Sequence, residues 1–279
     1  MASHPDHNRN TAYFGLVEIF WGLGMNLLSM GTVLPVFLQE RGASNGVIAF
    51  LPALSALGAG LTQAFSPLLV GRRWSLKGMV LWMHVLCPIP VALIGVGLLW
   101  GRLPVVPAVL ILWGVFYACI GLLYPLWMDY MARSLDPARR GRAFGTIFLA
   151  QTLAGGLGVT AAAALLKGGT SDGRYALLFF AGAVTMAGGS LFFVGTVGGI
   201  EDGGARTPTV RGHFQEFWNL WRTSPWLKAY MVQRWLVRGT YPLLIHFYAV
   251  FAVTKKGVSP ATAALYGAAA LGCAYGTAS

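Results

Sequence analysis

The sequence predicts an all-α, polytopic membrane protein, a helical bundle threaded repeatedly through a bilayer. Three observations carry that expectation. Hydrophobic residues make up 56% of the chain and charged residues 10%, where an ordinary soluble domain holds roughly a quarter charged residues. Apolar runs long enough to cross a bilayer, about 20 residues each, follow one another with short polar breaks. Lysine and arginine are concentrated in those breaks.

Eight runs qualify as spans, at residues 13–38, 46–70, 78–100, 104–131, 143–166, 175–197, 227–253 and 259–279. The stretch before them, 1–12, is polar and lacks the basic start, short apolar core and small-residue cleavage site of a signal peptide. It reads as a tail, with residue 13 opening the first span. The connections are short except at 198–226, the one segment long enough for a linker. Within it Phe214, Phe217, Trp218 and Trp221 recur at helical spacing, with Gln215, Glu216 and Arg222 elsewhere on the turn. That pattern predicts an amphipathic helix lying in the membrane interface. The organisation is therefore a tail (1–12), a six-helix bundle (13–197), a linker (198–226) and the start of a second bundle (227–279).

Counting basic residues by side gives the orientation. Arg9, Arg72, Arg73, Lys77, Arg133, Arg139, Arg140, Arg142, Arg206, Arg211 and Arg222 fall on one side of the predicted membrane. Arg41, Arg102, Lys167, Arg174, Lys255 and Lys256 fall on the other. The positive-inside bias then places the N-terminus and the linker in the cytoplasm, in a cell membrane crossed many times. The net charge of +11 points to anionic lipid headgroups and away from nucleic acid, because the charges sit in loops and share no amphipathic face. Cys87, Cys119 and Cys273 lie inside apolar runs without metal-ligand spacing, so no disulfide, metal or other cofactor is expected.

The richest of the breaks is residues 129–145, DYMARSLDPARRGRAFG. Asp136 before Pro137 forms a helix start, since a carboxylate caps free N–H groups and proline needs none. The spacing Pro137, Arg140, Gly141, Arg142, Gly145 resembles the loop between the fourth and fifth helices of the major facilitator superfamily of secondary transporters. Loop rhythm and repeats strengthen the likeness. Superposing Gly42 on Gly257 brings Gly24 onto Gly239, so spans seven and eight resemble a second copy of spans one and two. Ile19, Trp21 and Gly22 of span one likewise match Ile111, Trp113 and Gly114 of span four.

The resemblance implies a major-facilitator-like bundle: a six-helix N-terminal half, built from three plus three helices, and the first two helices of a C-terminal half. Four further spans are then expected beyond residue 279, and the chain reads as a fragment of a twelve-helix carrier that moves a small solute by alternating access. The likeness is incomplete. The loop after span two keeps Arg72 and Arg73 but lacks the aspartate and second glycine common in the superfamily, leaving Asp129 to pair with Arg142, Arg72 or Arg73. The fifth span lacks the glycine-proline pair of drug-proton antiporters.

Ionisable groups inside a bilayer are costly, which makes each one a functional candidate. Glu18 lies within span one and shares a stripe with Gly22, Asn26 and Ser29 that suits a water-filled cavity. Arg234, Arg238 and Tyr241 lie along span seven. If the first and seventh helices face each other, Glu18 pairs with Arg234 or Arg238 as a gate, and the arginine pair favours an anionic solute. His84 and His246 are candidates for proton coupling, with Gln63, Gln151 and Thr152 as further polar groups for a cavity. Two other readings compete. A non-transporting scaffold or sensor on the same fold fits the composition equally. An intramembrane enzyme has no G-x-S-x-G, H-E-x-x-H or phosphate-loop motif to support it.

Overall fold

The computed structural model describes residues 6–29, 31–69, 75–101, 104–198, 209–263 and 265; within these, the side chains of 69, 210, 213, 234, 235 and 237–249 are not described. The described secondary structure is helical. In order come α1 (His7–Leu27), α2 (Val33–Glu40), α3 (Asn45–Gln63), α4 (Leu76–Leu86), α5 (Ile89–Trp100), α6 (Val105–Ser134), α7 (Arg140–Leu166), α8 (Asp172–Ser190), α9 (Val210–Thr223) and α10 (Pro225–Lys256).

Five stretches are long and apolar enough to cross a membrane: Asn45–Gln63, Leu76–Trp100, Val105–Ser134, Arg140–Leu166 and Asp172–Gly195. They coincide with predicted spans two to six. Large side chains such as Leu61, Leu99, Trp100, Leu153 and Val184 face outward from them, as expected of helices whose solvent is lipid. The chain is a multi-pass membrane protein.

Span one departs from the expected single rod. Asn10, Glu18 and Asn26 make α1 too polar to stand among the five, and the helix stops at Leu27 before α2 resumes at Val33. In the gap, Thr32 Oγ1 donates to Ser29 Oγ at 2.9 Å, and both residues are buried. Span three is broken where Pro88 follows Cys87, so α4 and α5 are two pieces of one crossing. Pro52 and Pro125 are carried inside α3 and α6 without ending them. Span eight lies mostly outside the described residues.

The first helix also begins earlier than its apolar run, at His7 instead of residue 13. Asn10 explains why. It is fully buried, its amide donates to the carbonyls of Ser134 (2.8 Å) and Val197 (2.7 Å), and its own oxygen accepts from Val197 N–H (2.8 Å). Around it Lys77 Nζ donates to the carbonyls of Val194 (3.0 Å) and Thr196 (2.6 Å), and Arg9 Nε to that of Gly195 (3.0 Å). Tyr130 and Thr196 join their hydroxyls at 2.5 Å. The starts of α1 and α4 thus satisfy the exposed carbonyls that end the sixth crossing, where cations are also favoured by the helix dipole. The opposite end is tied by Arg41 to Asp172 and by Tyr175 Oη donating to Glu40 at 2.9 Å.

Let the crossings be numbered one (α1 and α2), two (α3), three (α4 and α5), four (α6), five (α7) and six (α8). The principal pairings are one with five, four with two, one with six, four with three, and three with six. Exchanging one with four, two with five and three with six returns the same set. That is the three-plus-three arrangement. The first two pairings use the same device, small residues that let backbones meet. A methyl group at Gly22 or Gly158 would strike Gln151 or Leu23, and one at Gly121 would strike Ala59; at the one-with-six contact, a methyl group at Gly24 would strike Gly182. Thr62 and Ser66 of the second crossing reach across to the carbonyls of Ala118 and Leu122 of the fourth, at 2.8 and 2.6 Å. Outside the bundle, α10 packs against α2 and α3.

Candidate functional site

The fold converges four helices on a cavity of about 290 Å³. Glu18, Trp21 and Met25 line it from α1, His84 from α4, Ile120, Leu123, Tyr124 and Trp127 from α6, and Phe148 and Gln151 from α7. Glu18 is 4% exposed, and Gln151 Nε2 donates to its Oε2 at 2.5 Å. A carboxylate oxygen has more than one acceptor position, so this bond holds the group in place without exhausting it.

Aromatic rings form most of the wall. Trp21 meets the His84 ring edge-on at 5.1 Å, His84 meets Trp127 at 6.4 Å, and Trp127 meets Phe148 at 5.8 Å and Tyr124 at 5.5 Å. Trp21 is pinned from behind by donating its indole N–H to Ser190 Oγ at 2.8 Å. His84 Nδ1 lies 2.8 Å from the Val80 carbonyl. Because a carbonyl only accepts, Nδ1 carries the hydrogen, and Nε2 of the neutral ring is left as an acceptor. The indole N–H of Trp127 is buried with no hydrogen-bond partner. Buried tryptophan normally finds one; this N–H is enclosed in the packed wall without a partner among the described residues.

Not every predicted site residue reaches this cavity. Asn26 was expected to share it with Glu18, but its amide donates to Gly22 O at 2.8 Å and it sits against Gly155 in the seam between α1 and α7. The stripe of Glu18, Gly22 and Asn26 is mainly a packing face, and only its first member faces the cavity. Among the described residues Asp129 pairs with Arg133, whose Nε one turn on bonds its Oδ1 at 2.9 Å, and not with Arg142. Helical spacing brings those two together before any tertiary contact is needed.

Asp136 and Pro137 make a single turn, with Asp136 Oδ1 accepting from Ala138 N–H at 2.9 Å, and α7 then starts at Arg140. Asp136 N–H in turn donates to His7 Nδ1 at 3.2 Å. Arg139 and Arg142 line a groove between α1 and α7 with His7, Asn8 and Thr11, while Gly141 and Gly145 are exposed. Arg72 and Arg73 lie outside the described residues. Arg234, Arg238, Tyr241 and His246 fall on the described backbone of α10, but their side chains lie outside the description.

Sequence reasoning named Glu18, His84 and Gln151 separately and missed Trp21, Trp127 and Phe148 as cavity walls. Only the convergence of the first, third, fourth and fifth crossings assembles them. Asn10 was missed as well, since a polar residue ahead of an apolar run reads as tail.

Bilayer-crossing helices in three-plus-three order are an architecture of secondary transporters. The chain belongs to the Major Facilitator Superfamily, whose family model matches residues 5–279. No curated protein and no solved structure matches it significantly.

Proposed function

We propose that the protein is a secondary transporter that moves a small solute across the membrane by alternating access, with the cavity around Glu18 as one wall of its solute site. The observation that carries this reading is the placement of Glu18. A carboxyl group inside a bilayer helix is costly, and here it is buried on a cavity wall with a single amide donor, Gln151. A packing role would not require an acid there.

The orientation we assign puts the N-terminus and α9 on the cytoplasmic side, following the excess of basic residues in those segments. In that setting Phe217 and Trp218, exposed on α9, enter the membrane interface, and Phe214 docks on Phe65 at 5.9 Å.

Counterflow in proteoliposomes tests the transport reading. Vesicles loaded with one member of a metabolite panel should accumulate its labelled form above protein-free vesicles, and Glu18→Gln should remove that accumulation while still inserting. Uptake equal to empty vesicles for every solute, or full uptake by Glu18→Gln, would remove the reading.

A further inference from the structure

We infer that the solute recognised at the Glu18 cavity is a small organic cation carrying an ammonium group. The inference rests on the transport reading for the cavity's role and adds the chemical class of what enters it. Three features of the wall point the same way. An acid is its one residue of fixed charge type: among the described residues lining the cavity none is lysine or arginine. A carboxyl group withdrawn from water either keeps its proton or gains a compensating positive charge, and a cationic solute brings the charge. Gln151 occupies one side of Oε2 only, which leaves acceptor positions on the carboxylate for an ammonium N–H.

The second feature is the ring set. Trp21, Tyr124, Trp127 and Phe148 line the same cavity as the acid, and aromatic faces attract a cation through their quadrupole, most strongly where water is excluded. The third is the tautomer of His84, whose Nδ1–H is committed to Val80, so the neutral ring brings no positive charge of its own to the wall. A volume of about 290 Å³ on this wall suits a small molecule and excludes a macromolecule. The anionic solute suggested by Arg234 and Arg238 makes the opposite forecast, so a single comparison separates the two.

Benzylammonium, benzyl alcohol and benzoate share a ring and nearly a size, and differ in charge. Titrated into the purified full chain in nanodiscs, benzylammonium should bind saturably and about tenfold tighter than the other two, and Glu18→Gln should erase that preference. Tyr124→Leu, on the exposed rim of the wall, should lower benzylammonium affinity about threefold or more without inverting the preference, and carries the test if Glu18→Gln fails to fold. Equal or tighter binding of benzoate or benzyl alcohol overturns the inference. So does a preference unchanged in both variants, or no binding of benzylammonium. Flux assays keep the two readings apart. Carriage of a neutral or anionic solute without benzylammonium binding would sink the cation assignment and leave transport standing. Selective benzylammonium binding with no flux of any solute would do the reverse.

Discussion

The side-chain amide of Gln151 on α7 donates to the carboxylate of Glu18 on α1 at 2.5 Å, directly beside the contact where Gly22 lets the two helices touch. The bond therefore belongs both to the cavity and to the seam between α1 and α7. Replacing Gln151 by Leu removes the donor while keeping much of the volume. A typical intramolecular hydrogen bond contributes about 0.5–1.5 kcal/mol, so Gln151→Leu should lower stability by that order in detergent unfolding and reduce uptake. Gln151→Glu should do worse, by setting two carboxyl groups face to face. Wild-type stability and uptake in Gln151→Leu would show the contact to be incidental.

Asn10 offers a test far from the cavity. Its three hydrogen bonds join α1 to the ends of the fourth and sixth crossings. Asn10→Ala leaves buried backbone groups of Ser134 and Val197 without partners, at about 1–3 kcal/mol for each that water cannot reach. Asn10→Asp should fail similarly, because a carboxylate accepts the Val197 N–H but cannot donate to two carbonyls. Thermal unfolding in detergent should show both variants well below wild type, whereas Asn8→Ala, on an exposed position one turn face away, should be close to neutral.

Much of this bundle was legible before any coordinates. Apolar runs of bilayer length leave few alternatives to helices, and spans two to six fall where the runs predicted them. Glu18 stood out because it is an acid well inside such a run. What the sequence hid depends on which helices meet. Asn26 shares a helical face with Glu18, yet that face is divided between a seam and a cavity, a division that periodicity along one helix cannot reveal. Trp127 and Trp21 are 106 positions apart, and only the approach of α4 between their helices makes them two walls of one site. Asn10 and Lys77 looked like loop residues because the carbonyls they satisfy belong to the end of another helix. Span one looked continuous because Leu28, Ser29 and Thr32 do not interrupt its hydropathy, although the helix breaks there.

The glycines separate packing from mere helix composition. A side chain at Gly22 would meet the Gln151 backbone, and one at Gly121 the Ala59 backbone, neither of which can move aside cheaply. Gly22→Val and Gly121→Val should each destabilise by about 1–3 kcal/mol or more. Gly60→Ala is the opposite case. It lies inside α3 with nothing within 4 Å of the added carbon, and losing a helical glycine should stabilise by about 0.5–1 kcal/mol. Denaturation of the three variants should therefore move in two directions, and a common direction would refute the seam assignment.

Orientation can be decided with two cysteines. Ala138 is exposed in the arginine hinge, and Thr170 is exposed in the turn between α7 and α8, at the other end of the bundle. With Cys87, Cys119 and Cys273 replaced by serine, each position can carry the sole thiol. A membrane-impermeant maleimide added to intact cells should label Thr170→Cys at once and Ala138→Cys only after permeabilisation. The basis is electrostatic: Arg133, Arg139, Arg140 and Arg142 cluster at the hinge, and such clusters stay on the cytoplasmic face. Cys87 is buried in the bundle, so its replacement needs a stability check first. Labelling of Ala138→Cys from outside, with Thr170→Cys protected, would invert the topology and place Lys77, Asn10 and the helix end they cap on the outer face.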